Sequence, residues 1–284
     1  NITKIEVWIT NKTGTTTNTR NIVAFLDLGE TEIYNNSPNF ASGLKPNALH
    51  PDNDSANYLY ENLINNFSSA RDINQVNNTF GPLSFIFKAA KDYEKLERAR
   101  LLTTSEYTLN SQLGYISLNQ ALNNDEVLAV AFQYTIGNNI FQVGELSTTG
   151  PTAPDALFVK LLKGTNFSPQ LPNWDLMMKN IYAIGAYQMS QNDFVLDVVY
   201  ENTEESGGLT NYIPEGILDG IPLIKVLNLD NLNAQQDKQS DGVFDFIEGI
   251  TAKSSNGRII FPVREPFGSY LRGKFSDQTL ADKY

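Results

Sequence analysis

Residues 127–144 read VLAVAFQYTIGNNIFQVG. The first eight are apolar or alternate. Gly137, Asn138 and Asn139 then supply residues that tolerate positive φ, and Ile140 to Gly144 returns. Strand, tight turn and returning strand are the chemistry of an antiparallel hairpin. Just upstream, Tyr107 to Asn110 leads into a turn at Ser111 to Gly114 and then Tyr115 to Leu118. Asn123-Asn124-Asp125 turns again into Val127. The region is therefore expected to be an antiparallel meander.

The same period continues toward the N-terminus. Lys4 to Thr10 (KIEVWIT) places Ile5, Val7 and Ile9 on one face of a strand. Asn11 to Asn21 is a polar turn region. Asn21 to Leu28 (NIVAFLDL) is a second strand, too continuously apolar for an edge. Pro38, Gly43, Pro46 and Pro51 punctuate a loop from Glu30 to Asp54. Asp54 or Ser55 then suits a helix N-cap, with Tyr58, Leu59, Leu63, Ile64 and Phe67 as an apolar stripe. Gly81-Pro82 ends it. Lys88 to Arg100 (KAAKDYEKLERAR) mixes helical propensity with interleaved charge. It reads as a solvated face, either on a helix or on a twisted edge strand.

Gly150-Pro151-Thr152-Ala153-Pro154 has linker composition and predicts a domain boundary. Beyond it, Asn180 to Met189 and Asp193 to Tyr200 read as strands. Pro214 to Leu229 reads as a helix that Pro222 breaks into two short pieces. Gly242 to Ile250 and Gly257 to Val263 read as strands about a turn at Ser254-Ser255-Asn256. Thr108-x-x-Ser111-x-x-Gly114-x-Ile116 also matches Thr251-x-x-Ser254-x-x-Gly257-x-Ile259, an offset of 143 residues (114 to 257). The expectation is an α+β, β-rich chain. Residues 1–150 and 151–284 would be two related subdomains of antiparallel strands, each with one or two short helices.

Composition excludes several classes of function. The 284 residues are 41% hydrophobic, enough for a sizeable core. The longest apolar run, Val127 to Phe132, is far short of the ~20 residues of a spanning helix. A net charge of −11 disfavours nucleic acid and anionic lipid. Asparagine outnumbers Lys and Arg combined, which total 21, so many polar turns are expected. There is no cysteine, hence no thiol nucleophile and no disulfide. That absence suits an oxidising envelope or exterior. The single histidine, His50, precedes Pro51 in a loop, and no Gly-x-Ser-x-Gly elbow accompanies it. No phosphate-binding glycine loop occurs. Glu204-Glu205 says nothing of the carboxylate spacing that a glycosidase needs. Trp8, Trp174 and the tyrosines read as core and cross-strand pairs before they read as a binding face. Asp54-Ser55-Ala56 matches a three-residue O-glycosylation acceptor of Bacteroidota envelope proteins. The start at Asn1-Ile2-Thr3 reads as a piece cut from a longer polypeptide.

One local motif carries chemistry. Residues 237–248 read DKQSDGVFDFIE. On the twelve-position calcium loop, Asp237 takes position 1, Gln239 position 3 and Asp241 position 5. Gly242 takes the sharp turn, Val243 offers its carbonyl at 7, Asp245 takes 9 and Glu248 takes 12. Phe244 would anchor the loop to the core. Four carboxylates in twelve residues suit Ca²⁺, which prefers six or more oxygens. Gln239 departs from the pattern, and flanking helices are missing from the reading. The alternative is an acidic turn before a strand, with Asp245 and Glu248 directed to water.

Several segments jointly resemble one family. They are Ile2 to Trp8 with Asn21 to Ala24, Ala99 to Leu102 with Ser105 to Thr108, and Gln112 to Leu118. Trp174 to Asn180, Asp241 to Phe246, and Asn256 to Pro262 with Glu265 to Gly268 complete the set. Their order resembles the SprA family, called Sov in some members, of gliding and secreting Bacteroidota. The resemblance implies a parent that is a very large outer-membrane barrel, the translocon of the type IX secretion system. This chain would be a soluble section of it, outside the bilayer, at the outer membrane or cell surface. Its partners would be the rest of the parent barrel, other secretion-system subunits and secreted cargo, with no nucleic acid and no spanning segment of its own. No catalytic residues carry over, so a non-enzymatic structural module is expected. The alternative is a calcium-dependent carbohydrate- or adhesin-type binding module.

Overall fold

The alternating N-terminal run forms β1, Ile2–Ile9, and the continuous apolar run forms β2, Thr19–Phe25. The computed structural model describes residues 1–31, 34, 56–166, 168–201 and 208–284. The chain divides into two units, Asn1–Met177 and Met178–Tyr284.

In the first unit, α1 (Leu59–Asn66) and α2 (Val76–Phe80) follow β2. Next come β3 (Tyr93–Leu101), β4 (Tyr107–Asn110), β5 (Tyr115–Leu118), β6 (Leu128–Ile136), β7 (Asn139–Val143) and β8 (Leu157–Lys163). The main sheet runs β1-β3-β2-β8-β6-β7, and β6 also pairs with β1. Five strands therefore close a ring, and β7 extends from β6. All pairings are antiparallel except β2 with β8.

Strand alternation sorts the side chains. Trp8, Ile22, Ala24, Leu96, Ala99, Ala129, Ala131, Leu157, Val159 and Leu161 fill one buried cluster. They alternate along the strands that close the ring and make its interior a packed core. Trp8 lies directly across from Ala129. The four alanines leave the volume that its indole takes. On one outer flank, Val23, Phe25 and Phe158 pack with Leu59 and Leu63 of α1 and with Val76 and Phe80 of α2. Phe25 meets Phe158 edge-on at 5.4 Å. On another flank, the β4–β5 hairpin brings Tyr107, Leu109, Ile116 and Leu118 over Val7, Ile9, Leu128 and Val130.

One edge of β6 is shared. Leu128 to Val130 pair with β8, and Phe132 to Ile136 pair with β7. Gly144 sits at the handover with φ +71°. A Cβ there would come within 3.1 Å of the Val159 Cα, so only glycine lets the chain turn this close to β8.

The second unit has little regular ladder. It contains β9 (Ile181–Ala183), β10 (Tyr200–Glu201), β11 (Leu209–Thr210), α3 (Leu223–Val226), β12 (Ala252–Lys253), β13 (Arg258–Ile260) and α4 (Gln278–Lys283). The pairings are β12-β13-β9 and β10-β11, all antiparallel. Its core gathers Ile213, Leu223, Ile224, Leu227, Leu229, Phe244, Ile259 and Phe261 from turns as much as from strands. Asp277 caps α4 by accepting from the Thr279 N–H at 2.7 Å.

The α+β, β-rich class holds. So do the meander, the first two strands and the break at Pro222, which separates a turn of 3₁₀ helix at Gly216–Leu218 from α3. Four expectations change. Of the two readings of Lys88 to Arg100, the strand holds and the helix does not, and the stretch is half-buried instead of a solvated face. It supplies most of β3, which pairs with β2 along its length and with β1 at its end. Long-range pairing overrides helical propensity there. The division falls after Met177, not at Gly150 to Pro154, because β8 completes the ring of the first unit. Of Asn180 to Met189 and Asp193 to Tyr200, only β9 and the first residue of β10 are paired strand. Gly242 to Ile250 forms no ladder beyond a bridge of Glu248 with Ala252.

The internal match survives as a hairpin. Asn110 pairs with Tyr115 and Leu109 with Ile116. At the matching positions, Lys253 pairs with Arg258 and Ala252 with Ile259. Gly114 and Gly257 both end their turns at positive φ, +72° and +61°. Among the described residues the likeness stops there, since the second unit has no counterpart of the six-stranded sheet.

Two predictions follow from this packing. Trp8→Ala should lower the unfolding free energy by about 3–5 kcal/mol in urea titration. Trp8→Phe should cost distinctly less, since the buried indole N–H has no acceptor to lose among the described residues. Equal costs would show that Trp8 does not fill the ring. The two hairpin glycines should also differ. Gly114→Ala meets no atom within 4 Å and should cost about 1 kcal/mol from φ alone. Gly257→Ala would drive its Cβ to 1.7 Å from the Ala186 carbonyl oxygen and should cost several times more.

Candidate functional site

The acidic motif lies in the second unit, and the structure gives its carboxylates specific partners. Asp245 accepts from the Asn231 N–H at 2.6 Å and from the Leu232 N–H at 3.1 Å. Its own N–H donates to the Leu229 carbonyl at 2.8 Å. Asp241 accepts from the Val243 N–H at 3.1 Å, a local turn. Glu248 accepts from the Ser254 N–H at 3.0 Å. Asp237 and Gln239 are exposed, and the Asp237 N–H is held by the Asn233 side chain at 2.9 Å. Val243 is exposed too, while Phe244 is buried in the core, as an anchor of the loop should be. Gly242 takes the sharp turn at φ +85°.

Asp230, outside the motif, is the residue that organises the loop. Its side chain is 2% exposed. It accepts from the Ser240 hydroxyl at 2.7 Å, the Asp241 N–H at 3.0 Å and the Gly242 N–H at 3.1 Å. The two acids thus act reciprocally. Asp230 grips residues 240–242, and Asp245 grips residues 231 and 232. Ionised acceptors make the stronger class of hydrogen bond, and together these staple the two arms of the loop. The sequence did carry a signal for Asp230, a lone acid within Leu227 to Leu232.

Among the described residues, no three or more His, Asp or Glu side chains converge as a group able to hold a metal. A cation at this loop would have to draw Asp245 and Glu248 from backbone donors they already serve. His50, Asp54, Ser55, Glu204 and Glu205 lie outside the described residues.

A second cluster was not anticipated. Glu145, just after Gly144, is buried in the first unit. It accepts two hydrogen bonds from the Arg71 guanidinium, one from the Tyr60 hydroxyl at 2.7 Å and one from the Phe158 N–H at 2.7 Å. Arg71 also donates to the Ala156 carbonyl at 2.9 Å and lies 3.8 Å over the Phe158 ring. Burial pulls the Arg71 guanidinium down, but the hydrogen bond and charge of Glu145 outweigh it and raise its pKa. Glu145 makes four hydrogen bonds, which marks this pair as a structural pin joining α1, β8 and the chain between α1 and α2.

Aromatic side chains gather at one exposed place. Tyr182, Phe261 and Phe267 stand edge-on at 5.3–5.4 Å, with Tyr182 and Phe267 partly open to solvent. Trp8, by contrast, is core. The chain matches no family model and no curated protein.

The staple reading has a direct test. Asp230→Ala and Asp245→Ala should each lower stability by about 2–4 kcal/mol, and Asp237→Ala by less than about 0.5 kcal/mol. The melting temperature should be equal in millimolar Ca²⁺ and in chelator. A rise of several degrees with Ca²⁺, abolished by Asp241→Ala, would assign the loop to calcium.

Proposed function

We propose that this chain is a non-enzymatic structural and interaction section of a type IX secretion outer-membrane translocon, acting in protein export to the cell surface and in gliding. The observation that carries the reading is the joint order of the family-like segments along nearly the whole chain, from Ile2-Thr3-Lys4-Ile5 to Glu265-Pro266-Phe267-Gly268. In the first unit, the family-like residues fall in β1, β2, the end of β3 and the β4–β5 hairpin. Beyond these they fall at the turn Pro172–Leu176 and the residues after it, the β12–β13 hairpin, the acidic loop and the turn Pro266–Tyr270. These elements build the scaffold, which suits a part whose work is to hold shape and present surface.

No helix among the described residues is long and apolar enough to cross a membrane. One feature of the first unit agrees with a section beside the pore. The small ring is filled by its own side chains, with Trp8 and Leu157 fully buried inside it, so it conducts nothing. Partners would meet sheet edges and exposed aromatic side chains such as Tyr182 and Phe267.

Affinity capture with the tagged chain, after crosslinking in cells of a secreting bacterium of this type, tests the proposal. Recovery of outer-membrane secretion subunits and cargo is the expected result. Glycan-array binding lost with chelator would turn the assignment to the carbohydrate- or adhesin-type module. Turnover of any substrate abolished by one carboxylate substitution would turn it to an enzyme.

A further inference from the structure

The second unit contains a strand without a ladder. Residues 194–200 read Phe-Val-Leu-Asp-Val-Val-Tyr. Phe194, Leu196, Val198 and Tyr200 are half-buried and pack on the core of the unit. Val195, Asp197 and Val199 face out, and Val195 is 80% exposed and Val199 51%. This is the period-2 burial of a strand on a core. Three of the seven are valine, which favours the extended backbone.

Yet the backbone pairs with nothing. Phe194 donates at 3.4 Å to Gln191, and Tyr200 enters β10, which pairs with β11. Between them, from Val195 to Val199, neither an N–H nor a C=O is hydrogen-bonded among the described residues. In the first unit, by contrast, β1, β2, β3, β6 and β8 close on one another. Here a run of donors and acceptors is left in a segment with the alternating burial of a strand, already fixed on one face by packing.

We infer that Val195–Val199 is a docking edge for an extended strand supplied by another polypeptide. That strand carries Lys or Arg opposite Asp197, with apolar side chains two residues to either side. The backbone spacing selects an extended peptide over a helix, because only a strand presents matching N–H and C=O groups. Asp197 between two exposed valines selects the residue facing it, since opposite charges directly across a ladder attract and like charges repel. The segment is anchored on the core by Phe194, Leu196, Val198 and Tyr200 before binding, so little of its own chain entropy is lost on docking. This gives the interaction surface of the proposed function a place, but rests on backbone geometry alone. Its failure would leave the translocon reading standing, and failure of the affinity capture would leave this edge standing.

The test uses the whole chain, isotope-labelled, and a capped synthetic peptide, Thr-Val-Thr-Lys-Thr-Val-Thr. Without peptide, the amides of Val195 to Val199 should exchange with solvent nearly as fast as in an unfolded chain. At about 1 mM peptide, alternate amides in the segment should slow at least roughly tenfold. A peptide N-methylated at its ladder-facing positions should give no slowing. Asp197→Lys should reverse the preference, favouring the peptide with Asp in place of Lys. Slow exchange in the free chain at every concentration would overturn the inference, because the ladder would already be made within the molecule. Slowing that grows with chain concentration alone would overturn it in favour of a second copy. Equal slowing by the N-methylated peptide would overturn it in favour of side-chain contact.

Discussion

The space inside a five-stranded ring is narrow, and one indole is its largest occupant. Trp8 sets what its neighbours can be. Ala129 directly across from it, with Ala131, Ala24 and Ala99, keeps the interior from overfilling, while Ile22, Leu157, Val159 and Leu161 fill what remains. With the interior fixed, the same alternation turns Val23, Phe25 and Phe158 outward, where they need cover. The helices α1 and α2 cover that flank, and the β4–β5 hairpin covers the flank of Val7 and Val130. The architecture of the first unit is thus a consequence of packing one large side chain in a narrow space.

Charge is used in a similar way. The net charge of −11 suggests an outward-looking acidic protein, yet the most informative acids point inward. Glu145 holds Arg71 and a β8 amide, Asp230 holds residues 240–242, and Asp245 holds residues 231 and 232. Glu145 satisfies a buried N–H of Phe158, and Asp230 satisfies part-buried N–H groups of Asp241 and Gly242. A carboxylate with its oxygens so engaged is a poor acid–base catalyst. The chemistry legible at these places is that of construction.

The two units differ in how completely they use their backbone. The first closes most of its edges into a ring, which removes the hazard that an open edge brings. The second relies on short hairpins and side-chain staples, and leaves one extended segment unpaired. A unit of this kind has hydrogen-bonding capacity to offer. Its exposed Tyr182 and Phe267 and its valine-rich segment make it the half of the chain better suited to meeting other polypeptides.

Local chemistry was readable from the sequence alone. Gly114, Gly137 and Gly257 marked hairpin turns because positive φ is a property of single residues. Pro222 marked a helix break for a similar reason, and the alternation of Ile5, Val7 and Ile9 marked a strand because side chains on a pleat must face one way or the other. Nothing local, however, says which strand lies beside which. The assignment of Tyr93–Leu101 to a strand, the crossing of Gly150 to Pro154 by a chain that returns to the first unit, and the recruitment of Asp230 to a loop it precedes are all made by contacts distant in sequence. The acidic motif shows the divide most clearly. The spacing of its carboxylates was plain from the residues, but whether they face an ion or an amide depends on where residues 229–232 lie, and only the folded chain brings those two segments together.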